Sequence, residues 1–106
     1  MTVKNRMRPI HPGEVLREEF LDPLGMSANQ LALRLRVPPN RITSILNGSR
    51  AVTAETSLRL GRFFRTTADF WMNLQKTYEL RLAEEAYGER IERDVQPAPE
   101  VKAVGA

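Results

Sequence analysis

The chain has 106 residues, with 16 Lys and Arg against 13 Asp and Glu, a formal net charge of +3, one histidine and no cysteine. That length builds one hydrophobic core and not two, and the lack of cysteine excludes both a disulfide framework and a thiolate metal site. No apolar signal region opens the chain and no run approaches the ~18 apolar residues of a membrane span, so a cytoplasmic protein without membrane contact and without a cofactor is expected.

Residues 1–8 carry Lys4, Arg6 and Arg8 and almost nothing to bury, and are expected to be a flexible basic arm. A frayed, charged terminus is the commoner explanation of such a segment; an arm that tracks the minor groove of DNA is the alternative. Pro9 to Gly13 is a turn that starts a first helix, with Glu14 in its first turn where a carboxylate suits the helix dipole. Val15, Leu16, Phe20 and Leu21 form its buried stripe, and Asp22-Pro23-Leu24-Gly25 ends it. His11 has no carboxylate or cysteine pattern near it, which makes it a capping or packing residue and not a ligand or base.

Ser27 to Gly48 holds two short helical patterns on either side of a proline turn. Ser27 and Gln30 complete an S-x-x-Q capping box, and Leu31 and Leu35 recur at i, i+4 beside Ala32. Val37-Pro38-Pro39 must stop that helix, because the residue before a proline leaves the helical region and proline has no N–H. Pro39 is welcome at the first position of a new helix, which runs through Leu46 and closes at the left-handed C-cap Asn47-Gly48. Ile42, Ile45 and Leu46 need burial, whereas Asn40, Ser44 and Asn47 stand at i, i+4, i+7 with Arg41 and Thr43 flanking them. Such side chains reach base edges in a major groove.

The charge pattern separates that reading from an ordinary solvated face. Between Asp22 and Glu55 there is no acidic residue, while Arg34, Arg36, Arg41 and Arg50 are all basic, and residues 1–50 sum to +4 against −1 for residues 51–106. A polyanion can dock there unopposed.

After the loop Ser49 to Val52, Thr53 caps a fourth helix with Glu55 in its first turn. Ala54, Leu58, Gly61 and Phe64, joined by Leu60, are expected on its buried side; Gly61 is expected to let another helix approach closely. Arg50 is the basic residue best placed to touch phosphate here, and Arg59 and Arg62 read as solvated surface. Thr66 or Thr67 caps a fifth helix of four turns or more. Its stripe of Phe70, Trp71, Leu74, Tyr78 and Leu82 exceeds what a small core hides, so a twofold dimer contact through Trp71, Leu74 and Tyr78 is expected. Dimerisation also suits the DNA reading, since two recognition helices about 34 Å apart meet successive major-groove faces of a palindromic duplex. From Glu79 to Glu100 the charge turns to −4, and the chain ends in QPAPEVKAVGA. A folded domain over 9–86 and a flexible tail over 87–106 follow. The tail is either a solubilising appendage or an acidic cover for a basic partner that folds on binding.

The ordered set HPGE before LREEFLDPLGMS, then NQLA, RIxxILNG, VTAETSLRLGRFF and TTADFWMNLQ, resembles the HigA-type addiction-module antitoxins, a VapI-like branch of the Xre/Cro-like helix-turn-helix regulators. The resemblance runs from about Ile10 to Ala83. It implies an all-α, five-helix, lambda-repressor-like domain that binds double-stranded operator DNA, represses its own operon and pairs with a small toxin protein of the HigB/RelE-like RNase type. It further implies base contacts from Asn40, Arg41, Thr43 and Ser44 and phosphate contacts from Ser27, Gln30, Asn47 and Arg50. Three departures from the family pattern involve four positions. Arg36 and Arg65 stand at helix ends where relatives commonly carry Gly, Pro39 replaces a base-reading amide, and Ala68 replaces a helix-opening Pro.

Three function classes remain at this level: an antitoxin that also represses, a stand-alone transcription regulator of the same fold, and a protein-interaction module that kept the fold without DNA binding. The basic window favours the first two and the family motifs favour the first. An enzyme is not expected, because the single histidine and the solvated pairs Glu18-Glu19 and Glu84-Glu85 supply no catalytic constellation.

Overall fold

Helix α1 spans residues 12–24 and begins at His11, whose Nδ1 accepts the Gly13 N–H at 2.8 Å. Its middle, Leu16–Leu21, is a π-helical turn, and Asp22–Leu24 returns to α geometry. Pro23 gives the reason. Proline has no N–H and its ring crowds the preceding turn, and the wider turn keeps the chain helical, with the Asp22 N–H reaching the Arg17 carbonyl. Gly25, at φ 62°, then stops the helix.

The computed structural model describes residues 8–99. Four more helices follow: α2 (Ala28–Leu35), α3 (Pro39–Leu46), α4 (Ala54–Phe64) and α5 (Ala68–Asp94). The described residues form an all-α helix-turn-helix fold without a strand. Local chemistry sets their starts: Ser27 and Gln30 close the capping box from both sides, and Thr53 and Thr67 cap α4 and α5 through their hydroxyls. No helix among the described residues is long and apolar enough to cross a membrane.

The core gathers Leu16, Leu21, Leu31, Ala32, Leu35, Val37, Ile42, Ile45, Val52, Leu60 and Trp71. Three features position α3 within it. Gly13 lies so close to α3 that a Cβ there would collide with the Ile45 carbonyl. His11 is buried beside it with its ring edge-on to Tyr78, centroids 4.8 Å apart. Gln75 is also buried, and its Oε1 accepts the Val52 N–H at 2.8 Å, which ties the loop after α3 to α5.

Several expectations are corrected here. Trp71, expected at a dimer contact, is 0% exposed within its own chain. It packs against Phe20, Phe64 and Phe70, and its Nε1 donates to Thr66 Oγ1 at 2.8 Å, so its one polar atom is satisfied inside. On α4 the buried side is Thr56, Ser57, Leu60 and Gly61; Ala54 is exposed and Leu58 is 64% exposed. Gly61 accommodates the backbone of the turn at Thr66, Thr67 and Ala68, not a helix face. The last helix does not stop at residue 86: it continues to Asp94, and residues 79–94 project beyond the core with nearly every side chain exposed. The core alone does not end a helix, and this one continues until Val95 leaves helical geometry ahead of Pro97. Of the expected arm, residues 1–7 lie outside the described residues, as do 100–106 of the tail; Arg8 pairs with Glu14 through two hydrogen bonds of 2.7 and 2.8 Å.

Candidate nucleic-acid interface

Helix α3 presents the row expected from its spacing. Ile42 and Ile45 are fully buried, which leaves Asn40 and Asn47 exposed and Ser44 half-buried on the outer face. Thr43 is exposed on one flank, and its hydroxyl lies 3.4 Å from the Asn40 carbonyl. Asn47 is turned partly back into the following loop: its Oδ1 accepts the Ser49 hydroxyl at 2.7 Å and the Ser49 N–H at 3.1 Å. Its amide nitrogen has no described partner, so a donor is left for an incoming acceptor. Gly48, at φ 83°, makes the turn that carries the chain to the exposed Arg50.

At the start of α2, the Ser27 N–H donates to Gln30 Oε1 at 2.8 Å and the Gln30 N–H donates to Ser27 Oγ at 3.1 Å. The capping box therefore engages both side chains and fixes the helix N-terminus at the surface, where the helix dipole favours an anion.

Arg41 differs from its neighbours. Its side chain is only 25% exposed and leans toward α4, with a terminal nitrogen 3.3 Å from Glu55 Oε1. Glu55 is held harder by Arg59, whose Nε and Nη2 donate to Oε2 at 3.0 and 2.8 Å. The remaining Arg59 Nη1 donates at 2.8 Å to the Leu35 carbonyl at the end of α2. The hydrogen bond from Arg59 and the charges of Arg41 and Arg59 hold the Glu55 carboxyl below its ordinary range. Thus the acid that bounds the positive window is neutralised on the spot. Sequence reasoning missed this chain of contacts, although Glu55 and Arg59 stand at the i, i+4 spacing that pairs on a helix. It also missed Gln75, whose signal is one polar residue four positions after Trp71 on an apolar stripe.

Arg34, Arg59, Arg62 and Arg65 line a depression of about 730 Å³ with Leu35, Leu58 and Phe63. Arg59 belongs both to this basic surface and to the contact at Glu55 that Arg41 shares.

A helix-turn-helix family model matches residues 16–71, which is a little over half of the chain and contains α2, the proline turn and α3. The chain is 54% identical to a solved addiction-module antidote protein of the HigA family from Coxiella burnetii, with a TM-score of 0.84 over 87% of this chain and 100% of that one. It belongs to the HigA antitoxin family. Another member, the Pseudomonas aeruginosa antitoxin HigA solved with the higBA promoter, is 46% identical, with a TM-score of 0.83 over 85% of this chain and 98% of its own. Virulence-associated protein I of Dichelobacter nodosus is 51% identical over 82 residues, 77% of this chain and 76% of its own length. These HigA likenesses cover more than the helix-turn-helix segment and so include the additional helical framework around α3.

Proposed function

We propose that this HigA-family chain is a sequence-specific DNA-binding antitoxin that represses its own operon and neutralises a small RNase-type toxin of the HigB/RelE-like kind in the cytoplasm. The observation that carries the DNA half is the exposed row Asn40, Ser44 and Asn47 on a helix seated by buried Ile42 and Ile45, inside a stretch with no acid between Asp22 and Glu55. Asn and Ser on such a face read base edges, and Arg50 with the side-chain donors of Ser27, Gln30 and Asn47 holds phosphates. Base contacts are assigned to Asn40, Arg41 and Ser44, with Thr43 at the flank; phosphate contacts are assigned to Ser27, Gln30, Asn47 and Arg50. The P. aeruginosa relative solved with the higBA promoter supports the DNA-binding half of the reading.

The active species is a homodimer on a palindromic duplex. Support comes from α5, whose residues 79–94 project beyond the core with Leu82 exposed on the face that carries Leu74 and Tyr78, and with Leu80, Tyr87 and Ile91 exposed on the opposite face. Leu74 and Tyr78, both half-buried, continue that contact toward the core; Trp71 is removed from it. The toxin half follows from the family. Co-expression of the tagged chain with its neighbouring reading frames tests it: a stoichiometric small basic partner, toxic when expressed alone, is the expected result. A chain that shifts its upstream DNA but brings no partner is a stand-alone regulator.

A further inference from the structure

The Arg41 guanidinium leans against Glu55, and two arginines share that one carboxylate, Arg41 on Oε1 and Arg59 on Oε2. Arg59 binds Glu55 through two nitrogens at 3.0 and 2.8 Å and is itself anchored at the Leu35 carbonyl, whereas Arg41 makes one contact of 3.3 Å. The stronger, two-point pair neutralises the carboxylate and leaves Arg41 as the weakly held third member. We propose that Arg59 and Glu55 form a positioning pair for Arg41: Arg59 satisfies Glu55, so that Arg41 is free to turn from the protein to the operator.

The proposal rests on the assignment of Arg41 to the DNA contact and adds two residues outside α3 to operator recognition. With Arg59 removed, Glu55 has only Arg41 as a partner. Arg41 is then retained in a two-membered ion pair, and operator binding must break that pair. With Glu55 also removed, nothing retains Arg41 and binding returns. Neither residue needs to touch DNA for this to hold.

The test is a set of full-length variants titrated by fluorescence anisotropy against the duplex immediately upstream of the chain's own reading frame, with a scrambled duplex of equal length beside it. Arg59→Gln is expected to weaken binding to the upstream duplex about tenfold, the size of one lost base contact. Arg59→Gln with Glu55→Gln is expected to return to within about twofold of the parent, and Arg59→Gln is expected to add no loss to Arg41→Ala. Because the first pair also restores net charge, Arg59→Gln with Glu19→Gln serves as a comparison: Glu19 is exposed on α1 and makes no described contact with Arg41 or Glu55, and its removal is expected to rescue nothing. Loss of the Leu35 cap by itself would lower the melting temperature of Arg59→Gln, and Glu55→Gln would not repair operator binding. That result, or rescue by Glu19→Gln, or equal losses from Arg59→Gln with Arg and with Ala at position 41, overturns the proposal. Parent-like binding by Arg41→Ala instead removes the DNA contact of Arg41, and the proposal falls with it.

Discussion

Arg36 and Arg65 each hold a left-handed backbone, at φ 62° and 63°, one residue past α2 and α4. A side chain with a Cβ costs ~1–2 kcal/mol in that conformation, and glycine avoids the cost. Arg36→Gly and Arg65→Gly are each expected to raise unfolding stability by about 1 kcal/mol in urea titration, because no hydrogen bond or ion pair is described for either guanidinium. His11 is the other residue whose chemistry is local and measurable. Burial pushes its pKa below the ordinary 6.5, with a backbone hydrogen bond at Arg50 and the charge of Glu14 opposing. A depressed folded value means that the unfolded chain takes up the proton first. The stability that neutral His11 contributes is complete above the ordinary value and is lost as pH falls below 6.5 toward the folded value. His11→Asn keeps a side-chain acceptor for the Gly13 N–H and removes the titration, so the melting temperatures of parent and variant are expected to diverge between about pH 7 and pH 5 less the pH dependence common to both. Parallel curves would show that His11 takes up its proton over the same pH range folded and unfolded, with no burial effect on its titration.

At the scale of elements, α3 is positioned from behind. Gly13 has no space for a Cβ against the Ile45 carbonyl, so Gly13→Ala must shift α1 or α3. The expected cost is about 3 kcal/mol in urea titration, with a matching loss of operator affinity at temperatures where the variant is still folded. Unchanged stability would mean that α1 adjusts freely and does not seat the recognition helix. On the outer face the contacts divide by chemistry. Arg50 lies in the loop past α3, exposed and without a described ion pair, so Arg50→Ala is expected to weaken specific and scrambled duplexes alike. The slope of log affinity against log salt should flatten by about 1. Asn40→Ala is expected to reduce discrimination at one base pair while leaving that slope unchanged.

At the scale of the whole molecule, the 53 × 26 × 21 Å extents come from α5, whose 27 residues make a rod of about 40 Å. Among the described residues, the core covers its first half and leaves residues 79–94 exposed. A helix segment of that length is marginal in water without packing, and the exposed Leu82, in line with half-buried Leu74 and Tyr78 at i, i+4 and i+8, continues an apolar stripe that a second copy can cover. Leu82→Glu places a charge on this surface with little consequence for a single chain, since Leu82 is exposed there. It is expected to convert a dimer to a monomer in sedimentation at micromolar concentration and to weaken operator binding by at least about tenfold, the loss expected when two half-sites no longer bind together. A parent chain that sediments as a monomer at all concentrations would end the twofold reading.

What the amino-acid sequence determined by itself is what depends on neighbours within a few positions. The capping box at Ser27 and Gln30, the caps at Thr53 and Thr67, the break at Val37-Pro38, the start of α3 at Pro39 and its close at Asn47-Gly48 all follow from hydrogen bonds and proline sterics inside one or two turns. The two faces of α3 follow from its period, and the positive window from plain counting. The tertiary structure decided what depends on partners far along the chain. Whether Trp71 lies inside or at an interface is decided by Thr66 and three phenylalanines around it; Leu58 is exposed because it faces an open depression shared with Arg34 and Leu35 of α2. Gln75 bonds to Val52 at a separation of 23 residues and Arg59 to Leu35 at 24. An i, i+4 pattern reports that a helix has an apolar side, but the shape of the neighbouring helices fixes which residues on it are covered. The same reason placed Arg41 against Glu55: its partner belongs to another helix, and only the packing of α3 on α4 brings the two together.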